Sequence, residues 1–258
     1  MAYAKINSIT NDNRAKVDSV VKANIGKINS IEAPVSFANN YSISFDGSND
    51  AVQIDGAAGS VDEAVGTMSA WVKPNGITSS RTIVTVGVNS SNFIRLWWKD
   101  DINNVRGTIK RGGTANHATF TDTGFADGSA WQHWATTWDT SAASGSGEYK
   151  LYTDGVLRHT VAINGTWSGT ASVADIGKHG ISNVSYWKGN IDEVAIFDAV
   201  VNISDIYNSG TPTDLSGESN LIGYWRMEEN TGTSVADSSS NSNAGTLENS
   251  PTWSSTTP

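Results

Sequence analysis

Two packed antiparallel β-sheets are the architecture that the sequence predicts, on three observations. From Tyr41 onward, short runs alternate apolar and polar residues at the two-residue period of a half-buried strand. Clusters of Gly, Asn, Asp and Ser separate those runs, as turns separate the strands of a sandwich. Ten Trp, seven Tyr and six Phe can fill the space between the sheets, each burying about 150–250 Å².

The elements follow in order. Residues 1–34 differ from the rest: they lack Trp, and Lys5-Ile6-Asn7-Ser8-Ile9, Lys16-Val17-Asp18-Ser19-Val20 and Lys27-Ile28-Asn29-Ser30-Ile31 start eleven residues apart. Eleven residues make about three helical turns. A helix is expected only over 13–23, where Val17, Val20 and Val21 share a face before the stop signals Asn24 and Gly26. An arm this short cannot bury its own apolar side chains. Ile6, Ile9, Val17, Val20, Ile28 and Ile31 are therefore expected either to fray or to anchor against another chain, and we favour the anchor.

Residues 41–45 alternate cleanly, 46–50 turn, and 51–54 resume as a strand. The run 68–73 stops at Pro74, and 81–88, 92–99, 104–110, 118–121 and 132–139 are further strands. Residues 140–147, all Thr, Ser, Ala and Gly, form the longest loop. Segments 148–153 and 156–163 make a hairpin, because Asp154-Gly155 supplies the positive φ of a tight primed turn. A strand at 189–198, a short helix at 203–209 ended by Gly210, and a strand at 221–227 complete the pattern. In the polar tail 230–258 only Val235, Leu247 and Trp253 are anchors. The expected division is an arm, 1–34, and one sandwich domain, 35–258, with 221–258 packing on it.

Charge narrows the partners. Only 17% of residues are charged, and 26 acidic against 17 basic side chains leave a net charge of −9, which argues against nucleic acid. No run approaches the roughly 20 apolar residues that span a bilayer, so membrane insertion is not expected. The first 17 residues are polar where a secretory signal is apolar, which suits synthesis in the cytosol. With no cysteine, stability must come from the core, bound ions or assembly.

Ser44-Phe45-Asp46-Gly47-Ser48-Asn49-Asp50 and Met68-Ser69-Ala70-Trp71-Val72-Lys73-Pro74 together resemble the opening of a concanavalin A-like, laminin-G-like jelly roll. Trp131-Gln132-His133-Trp134-Ala135, the hairpin around Asp154-Gly155 and Gly189-Asn190-Ile191-Asp192-Glu193-Val194 fit that family in order. The resemblance covers about residues 41–207. One departure is Gly223-Tyr224-Trp225-Arg226-Met227, similar to what precedes the Phe-Asp-Gly strand in relatives but following the domain here. It is expected to fold back on the same sandwich, the alternative being addition to a neighbouring chain. The N-terminal repeats are similar to short Lys-Ile/Val-Asn repeats in structural proteins of marine and cyanobacterial tailed phages. That similarity implies a virion-surface protein made in the host cytoplasm, docked by its arm on capsid or tail proteins, displaying a jelly roll and forming a homo-oligomer.

Catalytic motifs are missing. His117, His133, His159 and His179 never take the His-Glu-x-x-His spacing of a zinc site. The chain has no Glu-x-Asp-x-x-Glu run, and Glu228-Glu229 and Asp192-Glu193 are adjacent pairs that a regular strand points to opposite faces. Neither a Gly-x-Ser-x-Gly elbow nor a phosphate-binding loop is present.

Calcium is the expected cofactor, in a structural role. The resemblance points to Asp46, Asn49 and Asp50 meeting Asp192 from a neighbouring strand; the competing reading is an Asx turn and a strand end. Asp237, Asn241 and Asn243 are a second place, where alternating oxygen ligands are similar to a calcium loop without its terminal Glu; an ordinary polar turn is the favoured reading. For sugars, Trp71, Trp131, Trp134 and Trp225 belong to strand runs and read as core, while adjacent Trp97 and Trp98 face opposite ways, which leaves one exposed. Trp167 and Trp187, with Tyr186 and Asn183, lie in turn-rich loops and are the candidate glycan platform.

The sequence thus predicts a non-enzymatic phage structural protein, either a capsid decoration or a tail-fibre adhesin, that can bind host glycans. The rivals are a secreted bacterial carbohydrate-binding or adhesion module and a polysaccharide hydrolase or lyase with an atypical site.

Overall fold

The alternating runs pair because each strand buries one face and satisfies its backbone only through a neighbour. In the computed structural model, which describes residues 37–128 and 130–258, they build two eight-stranded sheets. The first orders β10 (Val156–Val161), β9 (Glu148–Thr153), β8 (Gln132–Asp139), β3 (Val65–Pro74), β12 (Lys188–Phe197), β1 (Ser42–Asp46) and β16 (Thr252–Ser254). A further strand, β13 (Leu221–Trp225), continues along β12 beyond β1. The second sheet orders β14 (Ser234–Val235), β15 (Gly245–Glu248), β2 (Ala51–Gln53), β11 (Val173–Ile176), β4 (Arg81–Asn89), β5 (Asn92–Lys99), β6 (Asn104–Arg111) and β7 (Thr114–Thr121). Every pairing in both sheets is antiparallel. Segment 221–258 supplies strands to both sheets of its own chain.

Aromatic rings join the sheets. Trp98 from the second sheet lies 6.4 Å from Trp134 of the first, and Phe125 wedges between them at 5.3 and 4.4 Å. Trp187 closes the group edge-on, 6.4 Å from Trp134. Its indole is fully buried, so it is core and not a glycan platform; the Nε1 proton is donated to Asn190 O. Trp71 points the other way, with its ring 5.3 Å from His133 and 5.8 Å from Tyr207.

Those rings belong to a cover over the first sheet. The helix Ile203–Tyr207, capped by Asn202, lays Ile203 and Ile206 on Ala135, Ala195 and Tyr224. One outer face is thus roofed by the chain itself. The outer side of β4–β7 carries polar side chains instead, with the segment after β11 folded against it through His179, and that difference positions the candidate site.

Asp237 clasps the free edge of β13, accepting from Tyr224 N and Asn243 N. Asn241 and Asn243 donate from Nδ2 to Ile222 O. All three side chains close a polar turn.

Gly189, at the start of β12, has φ +127°, and a Cβ there would stand 2.2 Å from Lys73 O. Both β1 and β3 pair with this residue. Gly189→Ala is therefore expected to destabilise the domain by at least ~2 kcal/mol, since strained φ and backbone overlap add. An unchanged urea midpoint would contradict this close approach.

Candidate functional site

The period of two sorts β5 into two chemistries. Ile94, Leu96 and Trp98 enter the core, so Phe93, Arg95 and Trp97 stand on the outer face of the second sheet. On β6, Val105 and Ile109 enter the core, which turns Arg106, Thr108 and Lys110 outward. Register then aligns a polar row across the sheet: His117 pairs with Thr108, Thr108 with Arg95, Arg95 with Thr85, and Thr85 with Asp175. Phe93 sits opposite Lys110 on one side of this row, and Trp97 opposite Arg106 on the other.

Contacts fix these side chains. The Arg95 guanidinium lies 4.1 Å from the centre of the Trp97 ring and that of Arg106 5.2 Å from it, cation–π distances that hold both cations in place. Arg95 Nε donates to Thr82 Oγ1 at 2.8 Å, and Trp97 Nε1 donates to Thr108 Oγ1 at 2.9 Å. Thr108 Oγ1 in turn lies 2.9 Å from His117 Nδ1. The segment after β11 folds over the same face, with the His179 ring 4.9 Å from Phe93. Trp97 is not left exposed as the strand period predicts: its outward ring is 9% accessible because arginine covers it, while Trp98 is fully buried.

Charge is divided along the row. At the β11 end, Lys178 Nζ binds Asp175 at 3.2 Å and Glu248 at 2.6 Å. Burial pushes the Asp175 carboxyl up to about 6 against the pull of Lys178. At the β6–β7 end, Arg95, Arg106 and Lys110 make no ion pair among the described residues. Burial brings Arg95 down to about 9. His179 is lowered to about 3 by burial and then by Arg95 and Lys110. His117 is lowered by burial, Arg106 and Lys110.

The residues singled out in sequence are distributed differently. Asp46 lies opposite Lys188, whereas Ile43 pairs with Ile191, so Asp192 falls four strand positions from Asp46, roughly 13 Å at the usual rise. Asp46 accepts from Ser48 N and Asn49 N, and Asp50 accepts from Asp46 N. These carboxylates fold their own turn, and the expected calcium set of Asp46, Asn49, Asp50 and Asp192 is not assembled. Among the described residues no three His, Asp or Glu side chains converge as a metal site. Asn183 and Tyr186 do come together, lining a cleft of about 470 Å³ with Arg81 and Gly47. Trp167 is not in that lining; it packs part-buried on the core, with Nε1 donating to Gly169 O. Ile6, Ile9, Val17, Val20, Ile28 and Ile31 lie outside the described residues.

Two eight-stranded antiparallel sheets packed through a shared aromatic core define a jelly-roll β-sandwich of the concanavalin A-like kind. Residues 46–207 match the Laminin_G_3 model of the concanavalin A-like lectin/glucanases superfamily, and the chain belongs to that family. Among solved structures, a Bacteroides ovatus protein assigned to carbohydrate binding is similar at TM-score 0.59 and 16% identity, covering 84% of this chain and 60% of that one. The chain thus spans 60% of that relative's length. The CBM40 of the Ruminococcus gnavus IT-sialidase, bound to α2,6-sialyllactose, is similar at TM-score 0.52 and 14% identity, covering 66% of this chain and 96% of that one. A mutant of the Streptococcus pneumoniae NanB sialidase is similar at TM-score 0.50 and 13% identity, over 75% of this chain and 30% of the sialidase. No curated protein sequence matches the chain.

Proposed function

We propose that this chain is a non-catalytic glycan-binding jelly roll, and that the outer face of β4–β7 is its binding surface. The carrying observation is the aligned row of His117, Thr108, Arg95 and Thr85 between two aromatic rings on the outer face of the second sheet, with half-buried Arg106 and Lys110 and exposed His117 as its accessible part. Hydroxyls, a guanidinium and an imidazole fix sugar hydroxyls, while Phe93 and Trp97 hold the cations in place. Hydrolysis of a glycosidic bond needs two carboxylates free to act on the sugar. On this face Asp175 and Glu248 are both engaged by Lys178, and Asp175 is 2% accessible. That favours binding over turnover. Carbohydrate binding named for the similar structures is in keeping with this reading.

The test is retention of the purified chain on a panel of immobilised polysaccharides, with product analysis in the eluate. Retention without released oligosaccharide is expected. Product formation would overturn the non-catalytic reading, and no retention on any glycan would overturn the binding reading.

The second part of the proposal is placement on a phage particle, carried by the three eleven-residue repeats. In this reading residues 1–34 dock on capsid or tail proteins, the jelly roll projects, and several copies gain avidity for host glycans. Particles lacking the chain are expected to take up the full chain and not a 35–258 fragment. Equal uptake of both would remove the anchoring role of the arm, and uptake of neither would remove the virion placement.

A further inference from the structure

We infer that the β5–β7 face selects acidic sugars, seating a carboxylate or sulfate ester against Arg95 with Arg106 and Lys110 beside it. This rests on the glycan-binding reading and names the ligand class of the same surface.

The first argument is charge placement. The whole chain carries −9, so its net field repels anions. Yet Arg95, Arg106 and Lys110 stand on adjacent strands with no ion pair among the described residues. Asp175 and Glu248 lie at the other end of the row and are already taken by Lys178, and Asp101, whose charge acts on Arg106, is paired with Lys99 at 2.6 Å.

The second argument is burial. Arg95 is 7% accessible, and its Nη2 is buried with no hydrogen-bond partner among the described residues. A buried guanidinium without an anion is destabilising, so a site that keeps one holds it ready for a charge that arrives later. Nε is committed to Thr82. The remaining end of the fork matches the two oxygens of a carboxylate or of a sulfate ester.

The third is preorganisation. Trp97 lies against two guanidinium groups, and the Phe93 ring lies 5.8 Å from Lys110 Nζ. Cations held by aromatic faces lose less freedom when an anion binds. Other occupants fit less well. The N-terminal arm, with Lys5, Arg14, Lys16, Lys22 and Lys27 against Asp12, Asp18 and Glu32, has the wrong sign. A long polyphosphate would meet the acidic remainder of the surface. An acidic sugar places one charge on the row and neutral rings beyond it.

Calorimetry with the full chain tests this, using paired probes. One pair is tetragalacturonate and its methyl ester; the other is a sulfated carrageenan tetrasaccharide and its desulfated form; neutral cello- and agaro-oligosaccharides complete the set. The variants are Arg95→Gln, the more exposed double variant R106Q/K110Q, and Lys150→Gln, which makes the same single charge change on β9. We expect one acidic probe to bind at least 10-fold more tightly than its neutralised partner. Arg95→Gln and R106Q/K110Q should each weaken it at least 10-fold, and Lys150→Gln less than 2-fold. A positive uronate arm assigns a carboxylate, and a positive carrageenan arm assigns a sulfate. Melting curves accompany each variant, and R106Q/K110Q carries the test if Arg95→Gln does not fold. Equal binding of charged and neutralised probes, or variants no weaker than Lys150→Gln, would overturn the acidic-sugar inference and leave glycan binding standing. Binding of neither neutral nor acidic probes would overturn both.

Discussion

Trp134→Ala is expected to destabilise the domain by about 3–5 kcal/mol, the range for deleting a buried large aromatic side chain. For a domain of this size that lowers the melting temperature by roughly 10 °C or more. The reason is position. Trp134 comes from the first sheet, lies 4.4 Å from Phe125 and 6.4 Å from both Trp98 and Trp187, and is fully buried. Its loss leaves a void spanning the contact between sheets, which neither sheet can close alone. Trp98→Ala should lose a similar amount, and the double variant less than the sum, because the two residues share one void. Urea unfolding followed by circular dichroism reads all three. A loss under 1 kcal/mol for Trp134→Ala would mean that the aromatic group does not join the sheets.

How this fold could be read from sequence follows from the same packing. Strands such as β5, β8 and β12 bury one face against the core over many residues, so their pattern is long and visible. The helix at 203–207 and the Asp154-Gly155 hairpin carry local stop and turn signals that act without tertiary help. By contrast β11, with four residues, and β14, with two, are too short to show a period. They exist because β4 and β15 offer paired edges. The first half of β7, starting at Thr114, was invisible for a related reason: Thr114 and Ala115 are exposed, and pairing with β6 defines them.

The site was harder to read. Phe93, Arg95 and Trp97 do share a face by simple alternation, and so do Arg106, Thr108 and Lys110. What sequence cannot supply is register, and only register sets Arg95 beside Thr108 and Thr85. Loop tryptophans break the strand pattern and so read as a platform, but Trp187 is in a loop so that it can reach the core. The pair Asp192-Glu193 failed the alternation argument through a bulge. The β12–β3 register shifts between Asp192 and Ala195, Glu193 takes φ +48°, and both carboxyls end up buried.

That buried pair gives the domain a pH dependence. Burial pushes the Glu193 carboxyl up to about 8, although Tyr224 OH donates to it and Arg226 Nε lies 3.7 Å from Oε1. Burial, and next the charge of Glu193, raises Asp192 as well. A carboxyl with a folded pKa above its unfolded value binds its proton more tightly in the folded state. Its contribution is therefore complete below about 4.5, the unfolded value for Glu193, and is lost as pH rises through about 8. His133, brought down to about 3 by burial, has the opposite sense: its folded pKa is depressed, so stability is lost as pH falls below the ordinary histidine range. Above pH 7 the histidines are neutral in both states; Arg95, brought down to about 9, opposes the acids only toward the top of the range. The melting temperature is thus expected to fall between pH 7 and pH 9. Glu193→Gln keeps an acceptor for Tyr224 without the charge, and it should flatten that fall and exceed the parent at pH 9 by a few kcal/mol. Thermal melts of both proteins at pH 5, 7 and 9 decide the matter. A parent curve that stays level from pH 7 to 9, or equal slopes for parent and variant, would show that Glu193 does not hold its proton in the folded domain.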